Sequence, residues 1–194
     1  YLADNSLIAG HRNSEWTGHG PVLEQDIAIS NIALDQIGQA RLFYQYAASV
    51  KNDGSTEDSL AYLRNEREYK NCLLAELPRG DWAFTTIRQF LFSIYQYYLY
   101  RQLLAGRDES LAAIAEKGIK EITYHIRWSG EWVVRLGDGT GESNRRARQA
   151  LTDLWDYTGE LFSPAPYEQA MEDAGYGISF SSLKQNWHEH VSRV

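Results

Sequence analysis

Residues 111–136 read LAAIAEKGIKEITYHIRWSGEWVVRL, and within them Ile114, Gly118, Glu121, His125, Trp128 and Trp132 recur at steps of 4, 3, 4, 3 and 4. That is the period of one face of an α-helix. The stretch therefore reads as a long helix whose buried stripe carries two polar groups, Glu121 and His125, one turn apart. The helix that precedes it, from Trp82 to Arg107, is crowded with Phe84, Phe90, Phe92, Tyr95, Tyr97, Tyr98 and Tyr100, and has no acid between Asp81 and Asp108. Its polar candidates for the interior are Gln89, Ser93 and Gln96.

The same period extends toward the N-terminus. Residues 22–77 and 79–163 contain no proline, so the strongest helix breaker is absent over long runs. Polar or Gly-containing breaks fall at Thr17–Pro21, Lys51–Thr56, Pro78–Asp81, Gly106–Asp108, Gly137–Gly141 and Ser163–Pro166. Between the breaks lie four segments of roughly 20 to 28 residues, each about 30 to 40 Å long as a helix. Short gaps between long helices predict a four-helix bundle. In the first segment Ala28, Asn31, Asp35, Gly38 and Leu42 form the stepped stripe, with Ile27, Leu34 and Ile37 beside it. In the second, Leu63, Glu66, Lys70, Leu73 and Leu77 step likewise, which predicts a buried Glu66–Lys70 ion pair at i and i+4.

Composition narrows the function classes. The chain has 194 residues, 43% apolar and 23% charged, the balance of a folded globular domain. A formal charge of -7 and a pI near 5.2 have the wrong sign for a phosphate-backbone binder, so nucleic acid is excluded as a partner. No targeting segment and no apolar run long enough to span a membrane is visible. The single cysteine, Cys72, cannot form an internal disulfide and points to the reducing cytoplasm.

Inner carboxylates on a four-helix bundle raise the question of a di-iron site. Such a site takes a Glu from each of two helices and a Glu-x-x-His from each of the other two. Glu-x-x-His does not occur in this sequence. The two places where it is expected read Glu66-Arg67-Glu68-Tyr69 and Glu121-Ile122-Thr123-Tyr124, with tyrosine in place of imidazole. The acid-free third helix offers no carboxylate. A two-metal site therefore reads as dismantled. A mononuclear site from Asp35, Glu66, Glu121 and His125 is the remaining metal reading, set against hydrogen-bonded core structure, the ordinary role of single polar groups in a helical interior.

Several long blocks carry a resemblance. KEITYHIRWSGEWVVRLGDGTGES from Lys120 and LTDLWDYTGELF from Leu151 resemble the C-subunit family of the bacterial phenylacetyl-CoA monooxygenase, the ring 1,2-epoxidase of phenylacetate degradation. EWTGHGPVLEQDIAISNIALDQIGQARLF from Glu15 and LAYLRNEREYKNCLLAELP from Leu60 are similar to the same family in order and spacing. The resemblance implies an all-α, ferritin-like four-helix bundle, residues 1–194 as one domain, with additional shorter N- and C-terminal helices. It implies a structural subunit without a cofactor of its own, paired with a homologous A subunit that holds the di-iron centre and binds the CoA thioester. Other subunits make up the rest of the complex, and for the isolated chain a homodimer is one state left open. Carried over position by position, Asp35, Glu66 and Glu121 fall near the carboxylate positions of the ferritin-like pattern, Tyr69 and Tyr124 where the A-type pattern has His, and Gln96 or Ser93 on the third helix. Chains of this family are expected to continue beyond Val194.

Two rival readings stand beside this one: an active carboxylate-bridged metal oxidase using Asp35, Glu66, Glu121 and His125, and an independent helical binding module. The remaining signals are weak. Gly137–Gly141 lacks the strand and the Lys-Ser/Thr of a phosphate loop and reads as a helix stop and restart, capped by Thr140 or Ser143. His188 and His190 are at i and i+2 and do not converge on one ion. Twenty-five aromatic residues either fill a wide core or furnish an interface with a partner on the third helix and the end of the fourth.

Overall fold

The computed structural model describes residues 1–176 and 178–194. The fold is all-α and ferritin-like in class: helices cover 76% of the chain, with no strand among the described residues. It divides into two compact units, Tyr1–Pro78 and Arg79–Val194.

The N-terminal unit is built on α1 (Leu2–Ser14) packed against α2 (Leu23–Lys51). The pair is antiparallel, since Asn13 Nδ2 donates to Gln36 Oε1 at 2.8 Å near one end while Tyr44 reaches Asp4 near the other. Gly10 lets the helices touch: a Cβ there would lie 2.9 Å from Ile37 Cγ1 and 3.1 Å from the Ala33 carbonyl oxygen. α2 ends where Asn52 takes the left-handed conformation at φ 48° and its N–H returns to the Ala48 carbonyl, a helix stop that asparagine tolerates well.

The second long helix expected between Thr56 and Pro78 does not form. The run is instead α3 (Glu57–Tyr62), a 3-10 turn at Glu66–Glu68 and α4 (Leu73–Glu76). Asn65 and Tyr69 are extended. The amides of Lys70 and Cys72 bond to side-chain oxygens of Asp4 and Asn5 on α1, at 2.8 and 2.7 Å, instead of to carbonyls four residues back. Tertiary hydrogen bonds thus outcompete a helical pattern that local periodicity supports.

The C-terminal unit is organised by α5 (Trp82–Leu104) and α6 (Glu109–Gly137), again antiparallel. The Trp82 indole sits edge-on to Trp128 and Trp132, with centroids 5.8 and 5.5 Å away, and Phe90 packs over Gly130. Asp81 and Asp108 cap α5 and α6 by accepting the amides of Phe84 and Leu111, both at 2.9 Å. These caps satisfy donors that a helix start leaves open. α7 (Gly141–Trp155) restarts after Gly137, with Thr140 accepting the Ser143 amide at 3.2 Å. α8 (Pro166–Asp173) follows, and α9 (Phe180–Val191) returns along α5. The fully buried Trp187 donates its indole N–H to the Leu91 carbonyl at 2.9 Å. No helix among the described residues is long and apolar enough to cross a membrane.

Candidate functional site

The polar centre of the N-terminal unit is Asp4, 2% exposed on α1. Its Oδ1 accepts from the Tyr44 hydroxyl and from Arg64 Nη2, both at 2.5 Å, and its Oδ2 accepts from Arg64 Nη1 at 3.2 Å and the Lys70 amide at 2.8 Å. Arg64 in turn lies over the Tyr69 ring, 4.2 Å from its centroid, and donates to the Leu60 and Glu68 carbonyls. Burial works against the Asp4 charge, but the hydrogen bonds from Arg64, Tyr44 and the Lys70 amide prevail and hold its carboxyl below the usual carboxylate range. Burial together with the bond to Asp4 pushes the Tyr44 hydroxyl far up. The cluster is a paired and saturated core feature.

Of the positions expected from sequence, Asp35, Glu66 and Tyr69 belong to this unit. Asp35 is half-buried on α2. Glu66 and Lys70 are both exposed, Glu66 on the 3-10 turn, so the buried ion pair expected of them on one helical stripe is absent. The pair needed a continuous helix, and that helix is broken. Tyr69 uses its hydroxyl to donate to the Ala61 carbonyl and its ring to support Arg64, a structural task at a position where a ligand was sought.

Gln96, Glu121, Tyr124 and His125 belong to the C-terminal unit. Gln96 and His125 are buried, Glu121 is half-buried, and Tyr124 is exposed on α6 beside Arg127. The buried polar stripe continues through Gln89, whose Nε2 donates to Ser93 Oγ at 2.7 Å, and Ser129, whose Oγ donates to the His125 carbonyl at 2.6 Å. Among the described residues no three His, Cys, Asp or Glu side chains are grouped so that they could hold a metal ion. Four carboxylates and two imidazoles are the donor set of a ferritin-like di-iron centre. The residues found instead do not fit such a group: a neutral Gln96, an outward Tyr124 and a Glu66 on an exposed turn.

Of the eight aromatic residues of α5, Phe90, Phe92, Tyr95 and Tyr100 are buried and Trp82, Phe84, Tyr97 and Tyr98 are half-buried. The exposed apolar surface lies elsewhere. Leu23, Ile27 and Leu34, of which Ile27 and Leu34 were expected beside the core stripe of α2, face outward, as do Asn31 and Gly38 of the expected stripe itself. The recurrence of Leu23, Ile27, Leu34 and Gly38 at steps of 4, 7 and 4 was a signal for this second face. In the C-terminal unit, Phe90, Ile126, Gly130 and Val134 line a shallow groove of about 450 Å³ rimmed by Arg127 and Arg135. Arg145 and Arg146 pair with Glu142 on exposed α7, a solvated face.

The sequence model of the phenylacetic acid catabolic protein family matches residues 1–194. The chain belongs to this family. Among its relatives, the C subunit of the 1,2-phenylacetyl-CoA epoxidase of Escherichia coli (strain K12) is 42% identical over 190 residues, covering 98% of this chain and 76% of that protein. Family membership thus spans both compact units, including the broken run at residues 57–76 and the buried Asp4 cluster.

Proposed function

We propose that this chain is the structural, non-catalytic subunit of a multicomponent phenylacetyl-CoA ring epoxidase, working in the cytoplasm, where it pairs with and stabilises a homologous A subunit that carries the di-iron centre. The observation that carries the reading is the dispersal of the donor set. Glu66 is solvent-exposed, Tyr124 faces outward, Gln96 brings no charge, and no three ligating side chains are grouped among the described residues. Likeness to the C subunit of an epoxidase over 98% of the chain supplies the reaction context. In that setting the chain holds no iron, and its contribution is to present a rigid helical surface.

Co-expression with an A-type subunit tests the reading. A stable complex with iron bound in the A-type chain, and less than one iron per copy of this chain when purified alone after iron loading, is the expected outcome. Two tightly held irons per copy of this chain would instead make it an oxidase in its own right.

A further inference from the structure

α2 has two apolar faces. One, through Ile29, Ile32, Ala40 and Phe43, is buried. The other is open: Leu23, Ile27 and Leu34 are 72%, 52% and 66% exposed. With the exposed Asn31 and Gly38 they step by 4, 4, 3 and 4, a stripe about 22 Å long at 1.5 Å per residue. A Cβ built at Gly38 meets no atom within 4 Å. Nothing inside the chain therefore calls for glycine there, although glycine in a helix interior costs stability.

The stripe is complementary to itself when one copy is turned end over end. Its positions mirror about a point midway between residues 30 and 31. In an antiparallel two-fold pair centred there, Leu23 stands level with Gly38 of the second copy and Ile27 with Leu34. The most exposed side chain of the stripe thus meets the missing one. Positions 34, 37, 38 and 41 frame one hole of the kind a knob enters, and the hole is deep because its member at 38 has no side chain. The two-fold repeats this match at both ends of the pair, and Asn31 falls beside the axis, where two amides can hydrogen-bond to each other.

We propose that the open face of α2 pairs two copies of this chain antiparallel, Leu23 of each filling the gap at Gly38 of the other. The proposal does not rest on the partnership inferred above. Glu24, exposed at the border of the stripe, selects the direction. In the antiparallel pair the two Glu24 levels are about 20 Å apart, beyond two Debye lengths at physiological salt; a parallel pair in register would set them side by side. Asp35 is half-buried and engaged within its own chain, and has no part in the pairing. The three exposed side chains offer roughly 350 Å² of apolar surface, the size at which such patches mark interaction sites. Doubled, and with Asn31, Ile37 and the stem of Arg41 included, the contact covers on the order of 1,000 Å², the low end for a specific interface. The pair is accordingly weak, with a Kd of about 10–100 μM.

Sedimentation equilibrium of the full chain across that range tests the pair. Wild type is expected to pass from monomer to dimer. Leu34→Glu puts a charge on the stripe and Gly38→Trp plugs the gap, and each weakens self-association about tenfold or more. Leu151→Glu, exposed on α7, is the control and leaves it unchanged; circular dichroism checks that every variant is folded. Cross-linking reads the register. A short thiol-reactive cross-linker should join Leu23→Cys chains to Gly38→Cys chains in a mixture. It should not join Leu23→Cys chains to each other, since their thiols lie about 22 Å apart along the pair; the native Cys72 is buried and does not compete. A wild type that stays monomeric, dimers that the face variants leave intact, or efficient joining of Leu23→Cys chains to one another would each overturn the inference.

Discussion

The Tyr44 hydroxyl on α2 donates to Oδ1 of Asp4 on α1 at 2.5 Å, and Arg64 from the following loop closes on the same oxygen. This triangle ties three separate stretches of the N-terminal unit. Removing the acid leaves a guanidinium and a hydroxyl without their acceptor in a largely buried place. Asp4→Leu is expected to destabilise the protein by about 3 kcal/mol, toward the lower end for a broken buried pair because Arg64 keeps some solvent contact. Asp4→Leu combined with Arg64→Met should lose less than Asp4→Leu alone, since the orphaned charge goes with its partner. Urea unfolding of both variants measures the difference.

Acid sensitivity follows from the same carboxyl. Its folded pKa is held below the usual value of 3.8, despite burial, by Arg64, Tyr44 and the Lys70 amide. A depressed carboxylate contributes stability that is full above the unfolded pKa and is lost as pH falls through the folded one. Wild-type stability should therefore decline as pH drops below 3.8, and in Asp4→Asn that part of the decline should be missing. Thermal unfolding from pH 6 to about 2.5 reads the two slopes.

Two helical glycines should respond oppositely to alanine. Gly38→Ala adds a methyl to open space and is expected to stabilise the free chain by about 0.5–1 kcal/mol through helix propensity. Gly10→Ala drives a Cβ to 2.9 Å from Ile37 Cγ1 and 3.1 Å from the Ala33 carbonyl, and should destabilise by about 1–3 kcal/mol as α1 is pushed off α2. Denaturant midpoints of the two variants test the contrast.

Trp187 holds α9 to α5 through a buried ring and one indole hydrogen bond to Leu91. Trp187→Ala should cost about 3–5 kcal/mol. Trp187→Phe, which keeps most of the packing and loses the donor, should cost less. Limited proteolysis should cleave within residues 178–194 of the alanine variant well before the rest of the chain, and cleavage no faster than in wild type would dissociate the ring from the docking of α9.

Much of the C-terminal unit was legible in the sequence because its signals are local. Asp81, Asp108 and Thr140 stand where caps belong, and the stepping from Ile114 to Trp132 matches α6. The N-terminal unit was less legible for a physical reason. The periodicity from Leu63 to Leu77 fits a helix, and what defeats it is capture of the Lys70 and Cys72 amides by Asp4 and Asn5, more than 60 positions earlier. No window of neighbouring residues carries that information. Likewise Asp35 and Leu34 are adjacent in α2, and which of them faces outward depends on how α1 settles around Gly10. The absence of Glu-x-x-His is a fact of residue type and is read directly from the sequence. The placement of Glu66 on a 3-10 turn, with Tyr69 extended just beyond it, is not.

The link between Asp4 and Arg64 also sets a timetable. A ribosome delivers the acid 60 residues before its guanidinium partner, so a nascent α1 has a carboxylate that must stay hydrated until the later loop emerges. Within the N-terminal unit α1 is thus seated only once the loop carrying Arg64 has emerged. Until then its small apolar face at Ala3, Leu7 and Gly10 remains within reach of a chaperone.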